Sequence, residues 1–77
     1  MTEHALDARG LICPLPVLKA RKLLLRLPPG DLLRIQVTDA AAPKDFRLFC
    51  DETGHVLKSV KDAAGYTEVV VECRKNA

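Results

Sequence analysis

The sequence predicts a two-layer α/β sandwich (an α+β fold) of the order β-α-β-α-β-β, with a four-stranded mixed sheet and two helices on one of its faces. Two observations support this. Apolar residues recur with helical spacing in some segments and alternate in others, and Pro or Gly separates the segments. Because the strands alternate apolar and polar residues, one face of the sheet is expected to be buried and the other to meet water.

The first half contains a short strand over residues 5–8, a helix over residues 14–27 and a strand over residues 32–38. Pro14 suits the first helical position, where its missing N–H would be unpaired in any case. The helix carries a buried stripe of apolar residues, Val17, Ala20, Leu24 and Leu27, and Pro28-Pro29-Gly30 ends it. In the strand that follows, Leu33, Ile35 and Val37 point to one side.

The second half predicts a helix and a hairpin. Asp39 is a suitable N-cap for a helix that runs to about Thr53, and Gly54 follows as its C-terminal glycine. Its inward stripe is Ala42, Phe46, Phe49, Cys50 and Thr53. Strands over residues 55–61 and 66–74 pair across residues 62–65. In the second of them, one face holds Val69, Val71 and Cys73, and the other holds Glu68, Val70, Glu72 and Arg74.

Length and composition limit the function classes. The 77 residues form one domain, 1–77, with 48% hydrophobic and 29% charged residues and a net charge of +2. This charge is too slight to indicate direct nucleic-acid binding, and no apolar run reaches the length of a membrane span. The N-terminus has no targeting pattern, and three cysteines do not suggest a disulfide scaffold. We therefore expect free thiols in a cytoplasmic protein that does not engage membranes.

The most informative segment is Cys13-Pro14-Leu15-Pro16, which follows Gly10. It places Cys13 at the N-cap of the first helix, where the positive end of the helix dipole is expected to lower the pKa of the thiol. Pro14 and Pro16 remove two of the free N–H groups at this end and leave those of Leu15 and Val17. The thiol should therefore be held rigidly and activated only moderately.

Cys13 has no local partner for redox, zinc or protease chemistry. Cys50 and Cys73 lie far along the chain, and neither His4 nor His55 is adjacent. The chemistry that needs one exposed thiol, with no cofactor, metal or pocket, is the transfer of a group held on sulfur.

The segment from Leu6 to Val17, LDARGLICPLPV, resembles the opening signature of the TusA/SirA-like sulfur carrier proteins. The likeness covers essentially the whole chain, through Lys19-Ala20-Arg21-Lys22, Pro29-Gly30, Thr38-Asp39, Lys44-Asp45-Phe46, Phe49, Thr53-Gly54-His55 and Arg74-Lys75. The resemblance implies the same two-layer sandwich. It also implies that Cys13 carries a persulfide, with Gly10, Pro14 and Pro16 as supporting motif residues.

The resemblance further implies partner proteins. A cysteine desulfurase or a rhodanese-like protein would donate sulfur, and an acceptor protein in tRNA thiolation, molybdenum cofactor synthesis or sulfur oxidation would receive it. From the residues themselves, the candidate partner surface is Leu15, Leu18, Lys19, Arg21, Lys22 and Asp45. The basic residues are either a solvated face or a docking site for an acidic partner. Asp45 is either a first-turn helix charge or part of that surface.

Two alternatives stay open at this point. The chain could be a non-catalytic module that binds RNA or protein, although basic and aromatic residues are not interleaved as in base-stacking surfaces. It could also be a thiol redox protein in which Cys50 or Cys73 resolves Cys13. We expect instead that Cys50 and Cys73 are core residues and that His55 is structural.

Overall fold

The structure, a computed structural model, describes residues 2–74. Lys75, the last residue of the sequence likeness above, lies outside this range. The elements are β1 (Glu3–Ala8), α1 (Leu15–Leu24), β2 (Leu32–Val37), α2 (Ala42–Thr53), β3 (Val56–Ala63) and β4 (Tyr66–Glu72). The predicted order of elements is therefore confirmed.

The four strands form one mixed sheet in the order β1-β2-β4-β3. β1 pairs parallel with β2, whereas β4 pairs antiparallel with both β2 and β3. The parallel pair needs a crossover connection, which α1 supplies, and β3 and β4 are joined by a tight turn at Ala64 and Gly65. Both helices pack on the sheet and on each other, so the predicted two-layer α+β sandwich is confirmed.

The core lies between the helices and one face of the sheet. Its largest fully buried side chains are Phe46, Leu33, Ile35, Val37, Val69, Val71 and Pro16. These are mostly the residues that alternation and helical periodicity place inward. Cys50 and Cys73 are also buried, as expected, and Cys73 Sγ lies 3.6 Å from the carbonyl oxygen of Leu24.

Val70 is buried although it lies on the opposite face of β4 from Val69 and Val71. Alternation assigns the residue to that face, and only 5% of its surface is exposed. β4 is an interior strand, and Val70 is paired with Arg34 on β2 and with Ser59 on β3. A side chain flanked on both sides by neighbouring strands loses accessible surface even on the face that carries no helix.

Both helices begin later than predicted. α1 begins at Leu15 with Pro14 as its N-cap, and α2 begins at Ala42 with Ala41 as its N-cap. α1 also ends at Leu24, and residues 25–27 continue as turns in which the N–H of Leu27 donates to the carbonyl of Leu24. Helical periodicity persists through such turns, so the pattern extends beyond the α-helix itself.

Within residues 2–74, no helix is long and apolar enough to cross a membrane.

Candidate functional site

Cys13 lies in the turn between β1 and α1. Gly10 begins this turn with a φ of +82°, a conformation that favours glycine, and its N–H donates to Thr38 Oγ1 at 2.9 Å. The Cys13–Pro14 peptide bond is cis. Cys13 is exposed, whereas the other two cysteines are buried, so it is the accessible thiol of the three.

Asp39 holds the backbone of Cys13. Its Oδ2 accepts a 2.6 Å hydrogen bond from the Cys13 N–H, and its Oδ1 accepts one from the Ala41 N–H at 3.1 Å. The prediction that Asp39 is the N-cap of α2 is wrong, because the helix starts three residues later. The carboxylate instead connects the cysteine turn to the turn before α2. These two backbone N–H groups hold the pKa of the Asp39 carboxyl below its usual range.

The start of α1 offers the Cys13 sulfur fewer N–H groups than predicted. Pro14 and Pro16 have none, and the N–H of Leu15 is already paired with the carbonyl of Ile12 at 2.9 Å. The prediction that Cys13 occupies the N-cap is also wrong, since Pro14 does. Because the positive end of a helix acts mainly through its free N–H groups, α1 stabilises a thiolate here only weakly.

The pKa of the Cys13 thiol is raised above its ordinary value, contrary to the prediction. The first cause is a side-chain interaction with the Asp45 carboxyl, followed by partial desolvation and by the negative charges of Asp45 and Asp39. Negative charges beside a thiol disfavour the thiolate. Sequence analysis missed this because it considered the helix dipole of α1 and not the carboxylates that the fold brings from beyond β2.

A groove of about 430 Å³ runs beside Cys13 between α1 and α2. α1 contributes Val17, Leu18 and Arg21, and α2 contributes Asp45, Leu48, Phe49, Glu52 and Thr53. Cys13 therefore lies on a groove that the sequence analysis did not predict. An apolar residue on the outer side of α2, Leu48, is the sequence signal that could have revealed it.

Four exposed apolar side chains lie on the groove or next to Cys13 in the sequence: Leu18 and Leu48 line the groove, and Ile12 and Leu15 lie within two residues of the thiol. Ile12, Leu15, Leu18 and Leu48 have 71%, 46%, 47% and 57% of their surface exposed. We call these four residues the apolar rim. Large apolar residues grouped in this way around a groove are typical of a protein interaction site.

The structure divides the basic residues of α1 between two faces. Arg21 lines the groove with Cys13, while Lys19 and Lys22 lie with Leu6, Leu23 and Arg26 on another surface. Of the residues predicted as a partner surface, the groove thus brings Leu18, Arg21 and Asp45 together with the thiol. Leu15 lies on the rim, and the two lysines face elsewhere.

His55 has a structural role. His55 is buried, its Nδ1 accepts a 3.0 Å hydrogen bond from the Arg74 N–H, and its ring lies 5.6 Å from that of Phe49. Burial lowers its pKa.

Within residues 2–74, no three His, Cys, Asp or Glu side chains are grouped as a metal site would require.

The fold places the chain among small two-layer sandwiches of the SirA-like type. A SirA-like protein of Desulfitobacterium hafniense superposes with a TM-score of 0.81 over 94% of this chain and 99% of its own, at 23% sequence identity. At that identity the likeness concerns the fold.

Sequence comparison identifies the family. The family model described as Sulfurtransferase TusA matches residues 4–73. A Neisseria meningitidis protein named as a candidate sulfur carrier is 44% identical over 72 residues, which span 94% of this chain and 97% of that protein. The sulfur carrier protein TusA of Allochromatium vinosum is 41% identical over 63 residues, 82% of this chain and 83% of its own. The chain therefore belongs to the TusA family of sulfur carrier proteins.

Proposed function

We propose that this protein carries sulfur as a persulfide on Cys13 and acts as a partner-dependent sulfurtransferase. The observation that supports this most directly is the exposure of Cys13 on a groove with an apolar rim, while Cys50 and Cys73 are buried. The TusA-family match and the relatives named as sulfur carriers support a role in sulfur transfer.

The proposed reaction is a thiol–persulfide exchange. Cys13 S–H loses its proton to solvent, and the thiolate attacks the terminal sulfur of a donor persulfide, R–S–SH. A new S–S bond forms on Cys13 and the S–S bond of the donor breaks. The leaving R–S⁻ takes a proton from solvent, so the products are Cys13–S–SH and R–SH. The reverse sequence at an acceptor protein unloads the carrier, and no cofactor takes part.

The donor would be a cysteine desulfurase or a rhodanese-like protein, and the acceptor would belong to tRNA thiolation, molybdenum cofactor synthesis or sulfur oxidation. Docking would use the apolar rim together with Arg21, so that the partner's reactive sulfur reaches Cys13 directly. Lys19 and Lys22 would attract an acidic partner at longer range, which increases association rates more than affinity. An exposed, reactive thiol such as Cys13 suits a reducing compartment, and we place the protein in the cytoplasm.

The test is sulfur loading followed by intact mass. After incubation with a cysteine desulfurase and cysteine, without reductant, the protein should gain about 32 Da, the mass of one persulfide sulfur. Cys13→Ser should abolish this gain and Cys50→Ser should not. Failure to load with a cysteine desulfurase and with a rhodanese-like donor would refute the carrier role. Salt-sensitive RNA binding that Cys13→Ser leaves unchanged would instead favour a binding module.

A further inference from the structure

Asp45 has a feature that carrier chemistry alone does not explain. Its Oδ2 is buried, and no N–H or O–H group of residues 2–74 donates a hydrogen bond to it. Buried carboxylate oxygens are almost always paired in folded proteins, because an unpaired one loses its hydration without compensation. Asp45 lies in the first turn of α2. Because its unpaired oxygen is unfavourable for folding, we infer that Asp45 has a role at the site that it faces.

The site that Asp45 faces is the thiol. Asp45 and Cys13 line the same groove, and the Asp45 carboxyl is the first cause of the raised pKa of the Cys13 thiol. A carboxylate is an acceptor only, whereas a thiol has one proton to donate. The pair is therefore favourable when the sulfur is protonated and repulsive when it is a thiolate.

The other charged groups near Cys13 do not cancel this effect. Asp39, in the turn before α2, adds a second negative charge, and Arg21 of α1 and Glu52 of α2 also line the groove. Neither Arg21 nor Glu52 contributes to the shifted pKa of the thiol. At the start of α1, Pro14 and Pro16 have no N–H group, and that of Leu15 is already paired with the carbonyl of Ile12.

We propose that Asp45 is a positioning residue that holds unloaded Cys13 as a thiol, so that the exposed sulfur reacts slowly until a sulfur donor is presented to it. This proposal rests on the carrier role of Cys13 proposed above. Asp45 opposes the negative charge on the Cys13 sulfur both when the thiolate attacks a donor and when it departs from Cys13–S–SH. The same carboxylate thus retards loading, side reactions of the free thiol and, because Cys13 is then the leaving group, release of the carried sulfur.

The experiment is alkylation of Cys13 with iodoacetamide as a function of pH, followed by intact mass. Asp45→Asn removes the negative charge and nearly keeps the shape. Without this charge the pKa of the thiol should fall, which raises the thiolate population at pH 7 more than it lowers the nucleophilicity of each thiolate, because nucleophilicity follows the pKa with a slope of only about 0.4–0.5. The alkylation rate at pH 7 should then rise about threefold, and the midpoint of the pH profile should move down.

Glu52→Gln is the matched control, because it removes one negative charge from the same helix and the same groove. It should leave both the rate and the midpoint unchanged. Each folded variant should take a single adduct, because Cys50 and Cys73 are buried. A midpoint for Asp45→Asn at or above that of the wild type, or an equal shift for Glu52→Gln, would overturn the proposal.

A second measurement needs no variant. Ultraviolet thiolate absorbance of the wild-type protein should titrate above the range of a free cysteine, about 8.5, and a midpoint at or below that value would overturn the proposal even if Asp45→Asn failed to fold. Loading from glutathione persulfide should also be about threefold faster in Asp45→Asn, and release to dithiothreitol should be faster as well, because a leaving thiol of lower pKa departs more readily. If no variant takes up sulfur but the alkylation profile shifts as expected, the carrier role fails and the role of Asp45 stands.

Discussion

Phe46 supports one wall of the groove beside Cys13. Its side chain is fully buried in the first half of α2, next to Asp45, and its ring meets that of Phe49 edge-on with centroids 6.5 Å apart. Phe49 in turn lines the groove. We expect truncation of Phe46 to destabilise the whole domain, because Phe46 is a fully buried core residue and packs against Phe49, which belongs both to the core and to the wall of the groove.

The size of the effect follows from burial. A fully buried Phe→Ala change costs about 3–5 kcal/mol, from lost transfer free energy and from the cavity that remains. A chain of this length has a total stability of about 4–12 kcal/mol at roughly 0.05–0.15 kcal/mol per residue. Phe46→Ala should therefore remove about a quarter or more of the free energy of unfolding. Phe46→Leu fills most of the space and should cost about 1–2 kcal/mol.

Leu48→Ala is the control on the same helix. Leu48 is 57% exposed on the apolar rim, so its truncation should change the free energy of unfolding by no more than about 0.5 kcal/mol. The free energy of unfolding of all three variants is measured by urea unfolding, followed by far-ultraviolet circular dichroism. The same dependence of this free energy on urea concentration is used for each variant. A loss below about 1.5 kcal/mol for Phe46→Ala, or an equal loss for Leu48→Ala, would refute this account of the core.

Three further predictions concern backbone and charge. Gly54→Ala should cost about 1 kcal/mol in urea unfolding, because Gly54 ends α2 with a φ of +89° and the added Cβ meets no atom within 4 Å; a neutral result would show that the backbone relaxes freely. Asp39→Ala should lower the melting temperature by a few degrees, because two N–H groups lose their acceptor, while Asp51→Ala on the surface of α2 should not; equal effects would contradict the bridging role. The free energy of unfolding should fall as the pH drops below about 6.5, because the folded state disfavours protonated His55 while the unfolded state accepts the proton. Denaturant midpoints at pH 8 and pH 5.5 should thus differ less in His55→Gln than in the wild type, and an equal difference in both would assign the effect to other groups.

The order of the six elements, the inward faces of the helices and the burial of Cys50 and Cys73 could be predicted from the sequence. These features depend on periodicity and on Pro and Gly, which act within a few residues of each other. The accessible position of Cys13 near the start of α1 could be predicted for the same reason. Val70 could not, because its burial depends on which strands flank β4.

The direction of the pKa shift of the Cys13 thiol depends on tertiary contacts that the sequence does not show. The sequence places Cys13 near the positive end of a helix, which predicts a lowered pKa. The fold brings Asp39 to its backbone from 26 residues away and Asp45 to its side chain from the next helix, and the pKa rises instead. Charge interactions depend on distance in space and on local desolvation, which a linear sequence does not specify until β1, β2 and the two helices are packed together.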